Sequence, residues 1–115
     1  MPSSIVKTPH GIHIIRPHGK LVVSSLDDLK QLLDVIEPTD DVVLNLKQVN
    51  IIDSVAVGYL VYRYKLFRKK GGRFKLCHLQ ASVYKLLSLA DLHHWFEIYD
   101  DEDKAVASIL ELSSN

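Results

Sequence analysis

The stretch DVVLNLKQVNIIDSVAVGYLVYRYKLFRKKGG, residues 41–72, decides the fold of this chain. It opens with a short run of branched apolar residues, a pattern typical of a strand buried on both faces. A second apolar run stops at the pair Asp53-Ser54, and a long segment of helical composition follows. Because Asp and Ser are preferred helix N-caps, the pair predicts that a strand ends and a helix begins there. The pair Gly71-Gly72 predicts the end of that helix.

The segments on either side alternate between strand and helix patterns. In order they are a strand at residues 12–15 that continues over 20–23, a helix from the N-cap Ser24 or Ser25 to Pro38, a strand at 73–79, a helix at 83–90, a strand at 96–99 and a last helix capped by residues 100–103. Pro17 predicts that the first strand lies at an edge or a bulge. Such alternation favours right-handed crossovers and a small, mixed or largely parallel β-sheet with helices packed against it. We therefore expect one α/β domain over residues 1–115, with a core at roughly 11–112.

Composition narrows the class of protein. The 115 residues are 47% apolar and 24% charged, as in soluble globular domains. Lys plus Arg and Asp plus Glu balance at 14 each, so no net field favours nucleic acid or an anionic membrane. Cys77 is the single cysteine, which suits a reducing compartment. No secretion signal is evident, and the longest apolar run, residues 55–62, is too short to span a bilayer. We expect a cytoplasmic protein without nucleic-acid binding or membrane insertion.

The helix that begins at Ser54 has two apolar stripes and an internal glycine. Gly58 lies one turn beyond Ser54 and costs about 1 kcal/mol relative to alanine, which indicates that something uses the space beside the hydroxyl. One stripe is suited to the sheet, namely Val57, Leu60, Tyr64 and Phe67, and the other lies opposite, namely Val55, Tyr59, Tyr62 and Leu66. Tyrosine is enriched at interfaces. The second stripe therefore has three open interpretations: a covering helix, a partner protein, or a second copy in a homodimer.

The other candidate sites have less support from the sequence. The histidine pairs His10 with His13 and His93 with His94 lack the spacing and the further ligands of a metal site, so we expect no metal. Cys77 alternates within a strand and is expected in the core. No grouping of acid, base and nucleophile is recognisable, so we expect no enzyme activity and no cofactor.

The whole pattern resembles the STAS domain of the bacterial anti-sigma factor antagonist family. The resemblance covers nearly the whole chain and depends on the order of its motifs: the strand at residues 42–46, Asp53-Ser54, Gly58, Gly71-Gly72, the strand at 73–79, the helix at 83–90 and the corner Asp91-Leu92. Two places depart from the family pattern. Val55 and Ala56 stand where a small residue and a glycine are usual, and Lys20 and Val22 stand where carboxylates are frequent.

The resemblance implies a partner switch controlled by phosphorylation. Ser54 would be the phosphorylated residue, supported by Asp53 and Gly58. The unmodified form would bind a cognate anti-sigma factor or related serine kinase through Val55, Tyr59, Tyr62 and Leu66, and phosphorylation would release it. A PP2C-type phosphatase would reset the switch. The alternative from a different class is a non-enzymatic STAS subunit of a membrane transport assembly of the phospholipid-trafficking ABC type.

Overall fold

The structure, a computed structural model, describes residues 4–113. Within that range the chain forms seven strands and four helices, in the order β1 Ser4–Lys7, β2 Ile12–Arg16, β3 Gly19–Leu21, α1 Asp27–Asp34, β4 Asp41–Asn45, β5 Val49–Ile52, α2 Ser54–Lys70, β6 Arg73–Cys77, α3 Ala81–Leu89, β7 Glu97–Tyr99 and α4 Glu102–Ser113. The predicted alternation of strands and helices is confirmed.

The strands form a five-stranded sheet in the order β1-β2-β4-β6-β7 and a separate pair, β3-β5. Every neighbouring pair is parallel except β1 with β2, so the predicted mixed, largely parallel sheet is confirmed. The prediction that residues 20–23 continue the main sheet is wrong. β3 ends at Leu21 and pairs with β5, which directly precedes α2. Residues 22 and 23 are not strand, because the backbone turns after Leu21.

The prediction of an edge or a bulge beside Pro17 is met in one of its two forms. β2 is not an edge strand, because β1 pairs with it on the side away from β4. Two residues beyond Pro17, the register of β3 against β5 shifts between Gly19 and Lys20, as at a β-bulge. The first helix spans Asp27–Asp34 rather than running from Ser24 or Ser25 to Pro38. Ser25 is used by the preceding turn instead: its hydroxyl donates to the Lys20 carbonyl at 2.5 Å and accepts from the Val22 N–H at 3.2 Å.

Buried apolar side chains form one cluster on each face of the main sheet. The larger includes the predicted sheet-facing stripe of α2, whose four members are confirmed as buried: Val57, Leu60, Tyr64 and Phe67. The smaller lies against α4 and contains Cys77, confirmed in the core. Burial raises the pKa of the Cys77 thiol to about 12. Among the helices of residues 4–113, none combines the length and hydropathy that crossing a membrane requires.

Helix α2 begins and ends where the sequence predicts. Asp53 is its N-cap, in extended conformation at φ −108°. Gly71 follows its last residue in the left-handed region at φ +96°, and the Gly71 N–H donates to the Phe67 carbonyl. The helix therefore connects the end of β5 to the start of β6.

Candidate functional site

The carboxylate of Asp53 joins two backbone segments at the start of α2. Its Oδ1 accepts from the Ala56 N–H at 2.9 Å, which is the N-cap bond. Its Oδ2 accepts from the Val23 N–H, also at 2.9 Å, in the turn between β3 and α1. The Asp53 N–H donates to the Leu21 carbonyl at 3.2 Å. These bonds hold the first turn of α2 beside that turn.

The same bonds fix the charge of Asp53. Hydrogen bonds from the Ala56 and Val23 N–H groups stabilise the carboxylate and lower the pKa of Asp53 below its ordinary value. The side chain is therefore a fixed negative charge next to Ser54. Its two oxygens are directed to backbone donors, and its role in supporting a phosphorylated Ser54 stays a prediction.

Ser54 is exposed at the first position of α2. Within residues 4–113 its hydroxyl takes part in no hydrogen bond, unlike that of Ser82, which donates to the Asn50 carbonyl at 3.0 Å. The positive end of the helix macrodipole and its first N–H groups favour an anion at this position. An accessible hydroxyl at this point can accept a phosphoryl group without disturbing an existing contact.

Gly58 leaves open space one turn along the helix from Ser54. A Cβ added to Gly58 would meet no heavy atom within 4 Å, and the residue is exposed. The fold therefore does not require glycine here for steric reasons. The space beside the hydroxyl is available to another molecule.

The second stripe of α2 divides into an exposed part and a covered part. Val55 and Tyr62 are 49% and 58% exposed, whereas Tyr59 and Leu66 are half-buried. Val23, in the turn that Asp53 holds, is 65% exposed. Three exposed apolar side chains, those of Val23, Val55 and Tyr62, thus lie on the two segments that meet at Asp53; we call them the apolar rim.

Tyr59 is held by the neighbouring helix, which is one of the interpretations left open for the stripe. Arg63 donates from Nε to the Tyr59 hydroxyl at 2.9 Å and forms an ion pair with Asp34 of α1. The Lys30 ammonium, also on α1, lies 5.5 Å from the centroid of the Tyr59 ring. Burial raises the pKa of Tyr59, outweighing the hydrogen bond from Arg63. Covering by α1 therefore accounts for Tyr59 but leaves Val55 and Tyr62 uncovered.

Sequence reasoning missed Val23. Residues 22 and 23 were predicted as strand, but Val23 lies in a turn and its N–H binds a side chain 30 positions away. The signal that could have found it is the Ser24-Ser25 pair, which favours a turn directly after the apolar residues.

The histidines do not converge on a common site. His13 of β2 lies 3.1 Å from the Asp40 carboxylate, and the tilted rings of His93 and His94 have centroids 3.9 Å apart. Among residues 4–113 no group of three or more His, Cys, Asp or Glu side chains is arranged to hold a metal ion.

Comparison with known proteins agrees with this architecture. Residues 3–105 match the STAS domain family. The chain belongs to the STAS domain family. A relative from Paenibacillus polymyxa, an anti-sigma F factor antagonist, is 30% identical over 102 residues, which cover 86% of this chain and 87% of that protein. The family named from the sequence pattern is thereby confirmed.

Solved STAS structures superpose closely on this domain. An anti-sigma-factor antagonist (STAS) domain protein of Planctomyces limnophilus gives a TM-score of 0.83 at 14% identity, covering 96% of this chain and 99% of that one. A sulfate transporter family protein of Wolinella succinogenes gives 0.79 at 24% identity, covering 96% and 93%. The Bacillus cell fate determinant SpoIIAA in its phosphorylated form gives 0.71 at 17% identity, covering 93% and 98%. These similarities show the shared fold.

Proposed function

We propose that this STAS domain is an anti-sigma factor antagonist that binds an anti-sigma factor with serine kinase activity, and that phosphorylation of Ser54 releases it. The observation that carries the proposal is the exposed Ser54 hydroxyl, free of hydrogen bonds within residues 4–113, at the start of a helix and between two exposed apolar segments. The Paenibacillus relative, by name an antagonist of anti-sigma F factor, supports the class of partner. The phosphorylated form of SpoIIAA supports the class of modification.

The site's electrostatics give phosphorylation a physical consequence. A phosphoserine carries about −1.5 to −2 charges, and at Ser54 it would stand beside the ionised Asp53. The start of α2 tolerates that charge, because its N–H groups and macrodipole favour an anion. A partner docked on the apolar rim would have to desolvate it. Shifting the complex from nearly fully bound to nearly fully dissociated takes about 5.5 kcal/mol of free energy. A dianion in a contact surface can supply this amount.

In this proposal the chain itself performs no chemistry. The kinase partner transfers the γ-phosphoryl group of a nucleoside triphosphate to the Ser54 oxygen and releases the nucleoside diphosphate. A PP2C-type phosphatase hydrolyses the serine phosphate with water and releases inorganic phosphate. The domain contributes a positioned hydroxyl, the fixed Asp53 and a docking surface that includes Val55 and Tyr62. Gly58 contributes the free space through which a kinase can approach the serine backbone.

The test compares Ser54→Ala with Ser54→Asp as bait in pull-downs from the native cytosol, with partners identified by mass spectrometry. We expect Ser54→Ala to retain a serine kinase and Ser54→Asp to lose it. Ala81→Asp is the matched control, because it adds the same charge at the exposed first position of another helix, α3, and should retain the partner. Equal recovery by the two Ser54 variants would refute the switch.

The second candidate function is a non-enzymatic subunit of a membrane transport assembly. The similarity to the Wolinella sulfate transporter family protein favours a STAS domain in that setting. This function predicts that Ser54→Asp leaves the assembly intact, whereas Tyr62→Ala, which removes an exposed aromatic side chain, dissociates it. Recovery of transporter subunits by both Ser54 variants would favour it over the switch.

A further inference from the structure

The outward face of α2 continues beyond the candidate site toward the end of the helix. At 3.6 residues per turn, a set of its residues falls within about 80° of arc, opposite the buried stripe. All of them are exposed: Ser54, Gly58, Tyr62, Lys65 and Lys69. The first three belong to the candidate site, and the two lysines lie roughly 16 and 22 Å along the helix axis from Ser54. We call Lys65 and Lys69 the basic ridge.

The basic ridge has no acidic partner within residues 4–113. Neither of its ammonium groups forms a salt bridge with a carboxylate of that range, whereas Lys75 and Lys104 each have one. Lys65 lies 6.0 Å from the centroid of the Trp95 ring, a cation–π distance at which the lysine remains exposed. The positive charge of the ridge is therefore available to another molecule.

The helix itself does not account for the basic ridge. Cations are favoured by the negative end of the helix dipole only within the last turn, which here contains Lys69 but not Lys65. Like charges at positions i and i+4 also repel each other and destabilise an isolated helix. An acidic ligand placed on the two lysines would relieve this repulsion.

We propose that the basic ridge binds an acidic segment of the same protein that docks on the apolar rim. The inference rests on the proposed function, because that function supplies a protein partner on the adjoining half of the same helix face. Continuity of this face and the sign of its charge favour such a segment over an anionic membrane. A helix that lies on a membrane inserts its apolar face, and the apolar face of α2 is buried against the sheet.

The distance between the two halves of the face gives them separate tasks. A separation of roughly 16 Å exceeds the Debye length of about 8 Å at physiological salt, so a phosphate on Ser54 leaves the basic ridge largely unaffected. Charges at the margin of an interface act mainly on the rate of association. The basic ridge therefore guides the partner to both forms of the domain, and Ser54 decides whether the complex lasts.

The test measures association rate constants between the full chain and the serine kinase recovered on Ser54→Ala, after that kinase is purified. All variants carry Ser54→Ala, so that no phosphorylation occurs during the measurement, and circular dichroism confirms their folding. We expect Lys65→Glu and Lys69→Glu each to lower the association rate constant about threefold or more at about 0.15 M salt. The difference should disappear toward about 1 M salt, where the Debye length is about 3 Å.

The matched control is Lys104→Glu. It reverses the charge of an exposed lysine on α4, which packs on the other face of the main sheet. The exposed ion pair of Lys104 with Asp100 contributes little to stability, so its loss leaves the fold intact. We expect the association rate constant of this variant to equal that of Ser54→Ala alone.

The outcomes separate the inference from the function on which it rests. Absence of a kinase on Ser54→Ala would refute the proposed function, and the basic ridge would lose its partner with it. A recovered kinase whose association is unchanged by the two ridge variants would overturn the basic ridge alone. Equal slowing by Lys104→Glu would show only an effect of net charge and overturn it too. Sedimentation of the wild type with vesicles of phosphatidylcholine and phosphatidic acid, lost in Lys65→Glu, would assign the ridge to a membrane surface instead.

Discussion

Two glycines of this domain, Gly58 near the start of α2 and Gly72 just beyond its end, have opposite surroundings. A Cβ on Gly72 would lie 2.2 Å from the Asp40 carbonyl oxygen and 2.3 Å from that of Pro38, whereas a Cβ on Gly58 would meet nothing within 4 Å. The Gly72 N–H also donates to the Pro38 carbonyl at 3.0 Å. One end of the helix is enclosed by backbone, and the other is open. The fold thus depends on the enclosed end, and the open end is available to a partner.

The largest loss of stability is expected from a substitution at the enclosed end of α2. Gly72→Ala places a methyl group against two backbone oxygens that cannot move without separating residues 38–40 from β6. We expect the free energy of unfolding to fall by about 3 kcal/mol, at the upper end for overpacking. Urea denaturation followed by circular dichroism measures it. Wild-type stability in this variant would show that the turn adjusts and would remove the contrast between the two glycines.

A smaller loss of stability is expected from a substitution of Asp53, and this loss depends on pH. The folded state lowers the pKa of Asp53, so its stabilising contribution is present above the unfolded value of about 3.9 and is lost as pH falls through the folded value. Asp53→Asn keeps an N-cap oxygen for the Ala56 N–H but lacks the charge. We expect the variant to be less stable at pH 7, and the difference to shrink below about pH 4.

Urea midpoints of the wild type and Asp53→Asn at several pH values test this expectation. Asp27→Asn is a suitable control, because Asp27 is an exposed acid in the first turn of α1. A difference between wild type and Asp53→Asn that stays constant from pH 7 to pH 3 would contradict the role given to the Asp53 charge.

At the open end, Gly58→Ala should stabilise the domain. Alanine is favoured over glycine inside a helix by up to about 1 kcal/mol, and no neighbour opposes the added methyl group. We also expect weaker binding of the kinase partner, because the methyl group fills the space next to Ser54. Unfolding and binding are measured on the same preparation. Higher stability with unchanged affinity would show that the partner does not approach Gly58 closely.

How much the sequence predicts differs along the chain for a physical reason. Both ends of α2 were predicted correctly because a helix N-cap and a left-handed glycine are local signals, here Asp53 and Gly71. β1 was missed because its four residues, all exposed, become a strand only by pairing with β2. The start of α1 was misplaced because the Ser25 hydroxyl bonds to its own turn.

The candidate site shows the same distinction between features set by local sequence and features set by contacts between distant segments. The positions of Ser54, Asp53 and Gly58 follow from consecutive residues and helical spacing, so the sequence suffices to place them together. The contact between Asp53 and Val23 and the covering of Tyr59 by α1 join segments that are distant in sequence. Such contacts depend on how the β3-β5 pair and α1 are placed, which no local pattern specifies.

The smallest effect is expected at Ser54 itself, where a small value is the informative result. Its hydroxyl makes no hydrogen bond within residues 4–113, so Ser54→Ala should change the free energy of unfolding by less than about 0.5 kcal/mol. Ser82→Ala is the matched comparison: it removes a hydroxyl that ties α3 to β5 through the Asn50 carbonyl, and should cost about 1 kcal/mol. Equal losses at the two serines, measured by urea denaturation, would give the Ser54 hydroxyl a structural role. Its exposure would then no longer argue for a modification site.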